Sequence, residues 1–410
     1  MADALTGLLR AAPVAGGRLT MIPDTPDRER SANGSTPSAS GKVLTLLLCG
    51  DVMTGRGIDQ VLPHPAPPGL HEDYLKDARD YVRLAEERNG PIRTPVGFGE
   101  LWGDALDEME RAAPDVRIIN LETSVTTSEA WWPDKGIHYR MHPENAACLT
   151  AARIDCCALA NNHVLDWGYP GLLETLATLQ RLGIATAGLG EDQERARRPA
   201  ILDVTGGRVA VFSFGDSSSG IPPVWAATED RPGVDLLPAL SPTAVRQLGE
   251  RVADVKRTGD IVVASIHWGG NWGYAVPDAQ RAFARALIDE AGVDLIHGHS
   301  SHHPRGIEVH RGHLILYGCG DFLNDYEGIS GHTAFRPDLT LLYLASIAPA
   351  TGQLTGLRML PMQLRQLRPH HASRQDAEWL GGVLDRQGRN LGTRTRLASD
   401  GSGALVLQWT

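Results

Sequence analysis

No apolar run in this sequence approaches the ~18 residues that a membrane-spanning helix needs. The nearest candidate, VLTLLLCG from Val43, is far shorter and runs straight into the polar motif GDVMTGR. No apolar segment precedes a small-residue cleavage site either. The expectation is a cytoplasmic protein without membrane association. Cysteine is scarce: Cys49, Cys148, Cys156, Cys157 and Cys319 are odd in number and include no CxxC pair. That argues against a disulfide framework and for reduced, buried thiols. Positive charge is in short supply, with 39 Lys and Arg against 49 Asp and Glu and a net charge of −10. No dense basic cluster is available to neutralise a phosphate backbone, which excludes a nucleic-acid partner. Internal repeats are also missing.

What the chain does have is apolar content, 42% of 410 residues, enough to bury a sizeable core. Residues 1–42 are polar and rich in Pro, Ser and Gly, and read as a mostly disordered leader. Residues 43–370 read as one domain, and 371–410 as a C-terminal extension packed on it. The runs VLTLLLCG, DVRIINLETSV, RVAVFSFGDS, IVVASIHWGGNW and VDLIHGHSSHH predict strands. Between them, helical spacing appears at 70–89, in LWGDALDEMERAAP, in PGLLETLATLQRLG opened by Pro170, at 241–257 and in DAQRAFARALIDEAG. GIEVHRGHLILYG predicts a hairpin turning at Arg311-Gly312. The end adds strands in LTLLYLASIA, LTGLRMLPMQL and GALVLQWT and a helix at 376–387. Alternation of this kind predicts an α/β fold.

Polar residues at strand ends form the pattern with chemical content. Asp51, Asn120 with Glu122, Asn161 to His163, His267 and His299 each follow a short apolar run. Any one alone is more often a cap or a satisfied polar group. Five strand ends carrying metal-capable side chains, brought to one edge of a layered α/β protein, make a metal site the better reading.

The motifs GDVMTGR, NLETSV, ANNHVLDWG, IHWGGNW, GHSSHHPRGIEV and LYGCGDF, in this order over roughly residues 42–325, resemble the CapA-like, capsule-synthesis branch of the calcineurin-like metallophosphoesterases. The resemblance implies a four-layer α/β sandwich with its metal centre at strand ends. Carried over residue by residue, it implies Asp51, Glu122, Asn162, His267 and His299 as metal ligands. Met53 stands where the superfamily's first motif has a histidine. One divalent ion (Mn, Zn, Fe or Ca) is therefore expected where a phosphatase holds two ~4 Å apart. His163 would act from beside the metal, with Asp166 either orienting its ring or capping the next helix. Asp321, where the family usually shows an amide, would make a second pair with His302, the competing histidine being His303. Arg56 matches a family arginine and would grip a substrate carboxylate or an internal acid. Trp268, Asn271 and Trp272 would border the pocket, although a tryptophan beside a strand end is often core.

Two chemistries follow. The capsule role of CapA-like proteins implies hydrolysis or transfer at phosphoester or amide bonds in poly-γ-glutamate assembly. Those proteins are commonly membrane-associated or exported, and no anchor or export signal is read here. Soluble CapA-like proteins of lasso-peptide biosynthesis imply instead a metal-dependent epimerase that inverts the C-terminal residue of a ribosomal precursor peptide. Inverting a Cα needs a base on one face and an acid on the other, with no hydroxide nucleophile. An incomplete second metal site disables phosphoester hydrolysis and leaves epimerisation untouched, so the epimerase is the preferred expectation.

Overall fold

A computed structural model describes residues 43–329 and 331–410. The predicted leader, 1–42, lies outside the described residues. Two large β-sheets organise the chain. The ten-stranded sheet runs in the order Thr393–Leu397, Leu405–Trp409, Gln353–Arg365, Leu339–Ala348, Leu44–Val52, Val116–Leu121, Cys156–Ala158, Ala185–Ala187. From Leu44–Val52 to Ala185–Ala187 the pairing is parallel, and on the other side it is antiparallel. Asp321–Leu323 adds a short parallel partner to the first strand, and Arg368–His371 an antiparallel one to Gln353–Arg365.

The second sheet is centred on three parallel strands, Gly207–Asp216, Ile261–His267 and Leu295–His299. Helices Pro242–Val255 and Asp278–Ala291 make the crossovers between them, as parallel strands require. Every residue of Ile261–His267 is buried, the unbroken apolar pattern of a strand covered on both faces. The expected hairpin pairs Ile307–His310 with His313–Leu316 around Arg311 and Gly312. Both turn residues have positive φ, 51° and 86°, the geometry of a tight two-residue hairpin turn.

Three cores hold these parts. One lies between the sheets, where Leu46, Leu48 and Ile118 meet Val209, Val263 and Leu316. A second packs the first sheet on helices such as Gly103–Ala112 and Gly168–Arg181, and a third packs the second sheet on its two crossover helices. Leu405 and Leu407 join the core between the sheets, and their strand and its neighbour Thr393–Leu397 belong to the ten-stranded sheet itself.

Two predicted helices start elsewhere than expected. Gly168–Arg181 begins two residues before Pro170, which sits in the first turn where it costs no hydrogen bond. The helix expected at 70–89 spans only Arg79–Asn89. Residues before it are irregular because Glu72 turns inward to accept from Arg56 and Tyr81. Among the described residues no helix is long and apolar enough to cross a membrane.

Candidate metal centre

Ligands arrive here because parallel strands from both sheets end on the same side. A hydrogen bond from His297 Nε2 to the carbonyl of Cys49, 2.7 Å, ties the second sheet directly to the first strand. Asp51 stands in register with Asn120 on one side and Asp321 on the other. Asn120 donates to Asp51 Oδ1 at 2.6 Å and the Ser300 amide to Oδ2 at 3.1 Å. Asn161 donates to Asn120 Oδ1 and to the Leu121 carbonyl, holding the loop that carries Asn162 and His163. In the second sheet His267 and His299 are register partners, with their Nδ1 atoms 2.8 Å apart. Ser265 bonds His299 Nε2, so that ring's Nδ1 is the atom turned toward His267 and Asp51.

Donor atoms of Asp51, His267 and His299 all lie within 4.8 Å of one another, and all three residues are buried. Asn162 Oδ1 is 3.2 Å from His267 Nε2. Glu122 Oε1 stands 3.8 Å from both His267 Nε2 and His163 Nε2. Its other oxygen is buried without a hydrogen-bond partner. Burial, with Asp321 adding its charge, pushes the Asp51 carboxyl up to about 7. Burial and the neighbouring Asp51 push Glu122 well above the carboxylate range. Burial holds the His267 and His299 imidazoles well below theirs, each helped by neighbouring histidines. Buried acids short of positive charge, beside buried neutral imidazoles, form a donor set that a divalent cation satisfies. The residues fit the ion, and mixed oxygen and nitrogen ligands do not choose its identity.

Two His/Asp pairs flank this centre. His163 Nδ1 lies 2.6 Å from Asp166 Oδ2, which also accepts from the Tyr139 amide. Asp166 therefore orients the ring, and it makes no cap to the following helix. Behind it, Lys135 Nζ is 2.6 Å from Asp166 Oδ1 and 2.9 Å from His163 Nδ1. Burial pushes His163 down to about 4 against the pull of Asp166. On the other side His302 Nδ1 is 2.8 Å from Asp321 Oδ1, and Asn324 donates to Asp321 Oδ2. Burial would lower His302, but the charge and hydrogen bond of Asp321, joined by the charge of Asp51, together outweigh it, and its proton affinity is raised. His303 turns away and accepts from the Gly273 amide.

Both imidazoles line one cavity of about 240 Å³. Asn271 and Trp272 line it too, and Trp272 stacks on His332 with ring centroids 4.0 Å apart. Trp268 does not reach it: the indole is fully buried and donates to the Tyr317 carbonyl. Arg56 borders the cavity, but its guanidinium already serves Asp325 and Glu72 between the rings of Tyr81 and Tyr139. Tyr139 stands edge-on to His163 and Tyr326 edge-on to His302, and their hydroxyls meet at 3.1 Å.

Lys135, Tyr139, Tyr326 and His332 were not among the residues singled out in the sequence. The one usable signal was rarity: Lys135 is one of only four lysines (Lys42, Lys76, Lys135, Lys256) in an arginine-rich chain.

A family model described as bacterial capsule synthesis protein PGA_cap matches residues 45–326. A probable polyglutamine synthesis accessory protein of Mycobacterium tuberculosis is 52% identical over 355 residues, 86% of this chain and 93% of that protein. The PGA biosynthesis protein CapA of Bacillus subtilis is 28% identical over 290 residues, 70% of this chain and 64% of its own. The capsule biosynthesis protein CapA of Bacillus anthracis is 28% identical over 293 residues, covering 69% and 60%. The chain belongs to the bacterial capsule synthesis protein PGA_cap family.

Proposed function

We propose that the protein is a metal-dependent peptide epimerase. It would invert the Cα of a C-terminal residue by two-base proton transfer, with a lasso-type precursor as the substrate class the resemblance implies. One observation carries the reading: His163–Asp166 and His302–Asp321 present imidazoles to a single cavity from loops of different sheets. One imidazole takes the Cα proton from one face while the other delivers a proton to the opposite face. Each aspartate fixes its ring through Nδ1, so that Nε2 is the atom left for the transfer. Tyr139 and Tyr326 stand edge-on to the two rings. A single divalent ion on Asp51, Glu122, Asn162, His267 and His299 would supply positive charge to stabilise the carbanion's developing negative charge. The stacking of helices, two sheets and helices around three cores agrees with the four-layer sandwich that the resemblance implies.

The second reading is hydrolysis or transfer at a phosphoester or amide bond, in keeping with relatives named for capsule and PGA biosynthesis. A specific observation favours it. Asp51, His302 and Asp321 form another buried group with donor atoms within 4.8 Å, sharing Asp51 with the first. Two ions side by side would suit displacement chemistry. The test is a peptide with a free carboxylate and a large aromatic C-terminal residue, incubated in D₂O. Epimerisation keeps the sequence and adds ~1 Da at one residue, with chirality changed on amino-acid analysis. Metal-dependent bond cleavage without deuterium uptake would decide for the second reading.

A further inference from the structure

A second cavity, of about 540 Å³, lies against the reaction cavity and shares with it the wall formed by Tyr326, Ile329, Gly331 and Pro337. Its charged lining is arranged unequally. Both carboxylates are committed to the protein. Glu327 accepts from the Gln366 and Leu367 amides, and Asp338 from Arg336 Nε at 2.8 Å and Gln363 Nε2 at 2.9 Å. Two exposed arginines are not committed. Arg88 lies in the last turn of the helix Arg79–Asn89, where its charge also suits the helix's negative end, and Arg365 ends the strand Gln353–Arg365; neither pairs with a carboxylate among the described residues. Unpaired guanidinium groups on the wall of a hollow, in a chain of net charge −10, are open to an incoming acidic group.

We infer that this cavity binds the carboxylate-bearing segment of the peptide that precedes the reacting residue. A chain whose last residue fills the smaller cavity passes over the Tyr326–Pro337 wall into the larger one. There the guanidinium forks of Arg88 and Arg365 meet acidic side chains bidentately. The inference rests on the preceding reading only in taking the smaller cavity as the seat of the terminal residue.

The test reads binding, not turnover, so it can fail while the epimerase reading stands, and the reverse. Two fluorescein-labelled peptides end in the same aromatic residue, one preceded by four glutamates and the other by four glutamines. Anisotropy titrations use the full chain, the R88E/R365E variant and a charge-matched R246E/R257E control, each checked by thermal melting. The wild-type and control proteins should prefer the glutamate peptide by about tenfold at low salt, with the preference shrinking as salt is added. R88E/R365E should lose that preference and keep its affinity for the glutamine peptide. Equal affinity of the wild type for both peptides overturns the inference, as does a preference that survives in R88E/R365E. Competition by an oligonucleotide of matched charge as effective as the glutamate peptide also overturns it, since the cavity would then be a general anion sink.

Discussion

The two sides of the cavity between His163 and His302 carry the same unit, an imidazole bonded through Nδ1 to an aspartate, and differ in what stands behind it. Behind Asp166 is the ammonium of Lys135, and behind Asp321 is the neutral amide of Asn324. The consequence is opposite. Burial takes His163 down to about 4, with Lys135 working against Asp166, whereas Asp321 lifts His302 in spite of burial. A His/Asp pair does not have a proton affinity of its own; burial lowers both rings, and the surrounding charges, Lys135 on one side and Asp51 on the other, tip them in opposite directions.

The largest effects should come from breaking the pairs and the centre between them. His163→Ala and His302→Ala should each cost about 10²–10⁴ in Cα exchange, read as deuterium uptake, while the metal content stays near one equivalent by elemental analysis. His267→Ala and His299→Ala should lose metal and activity together, as chelation of the wild type should. Metal loss in a folded His163→Ala protein would mean that this imidazole is a ligand and that the two sides are not comparable.

Next in size is the cost of removing each aspartate from metal-free protein. Asp166→Asn strands the ammonium of Lys135, whose side chain is only 15% exposed, and should cost about 3–5 kcal/mol in urea unfolding. Asp321→Asn removes no partner of a fixed cation and should cost about 1 kcal/mol. Equal losses would break the comparison at its root.

Lys135→Met sharpens it. Removing that charge should move the His163 pKa upward from about 4 toward the ordinary imidazole range, and leave His302 where it is, in NMR titration of metal-free protein. Lys135→Arg, which keeps the charge, should not.

A further effect is in stability against pH. Burial holds His163, His297 and His303 each near 4. Between pH ~6.5 and 4 the unfolded chain takes up protons that the folded metal-free chain does not, so stability falls as pH falls through that window. His163→Gln should shallow the slope by its share, measured as urea midpoints at pH 7, 5.5 and 4.5.

The meeting of the strand-end residues at one edge was legible because period and position carried it. Apolar runs such as IVVASIH and VDLIHGH announce buried parallel strands, and their last residues must share an edge. Asp166 was legible as a neighbour three positions from His163. Lys135 was not, because its partners lie across a long irregular loop without periodicity and its placement comes from packing. Arg56 was found as a residue but not in its bonding. Nothing in GDVMTGR says that Glu72 and Asp325 will fold in to occupy its guanidinium. Trp268 and Trp272 sit in one short motif, and only the turn at Gly269, with φ of 77°, sends one into the core and the other to the cavity.

The hydrogen bond from His297 to the Cys49 carbonyl joins residues 248 positions apart. A centre that needs both ends of such a span has no partial form: a chain with one sheet folded offers half the ligands and binds weakly. Uptake of an ion there would therefore be a late event in assembly, and a bound ion would act on the finished protein as a latch worth RT ln(1 + [M]/Kd). Released metal becomes a reporter of the first opening between the sheets, ahead of any loss of helix or strand.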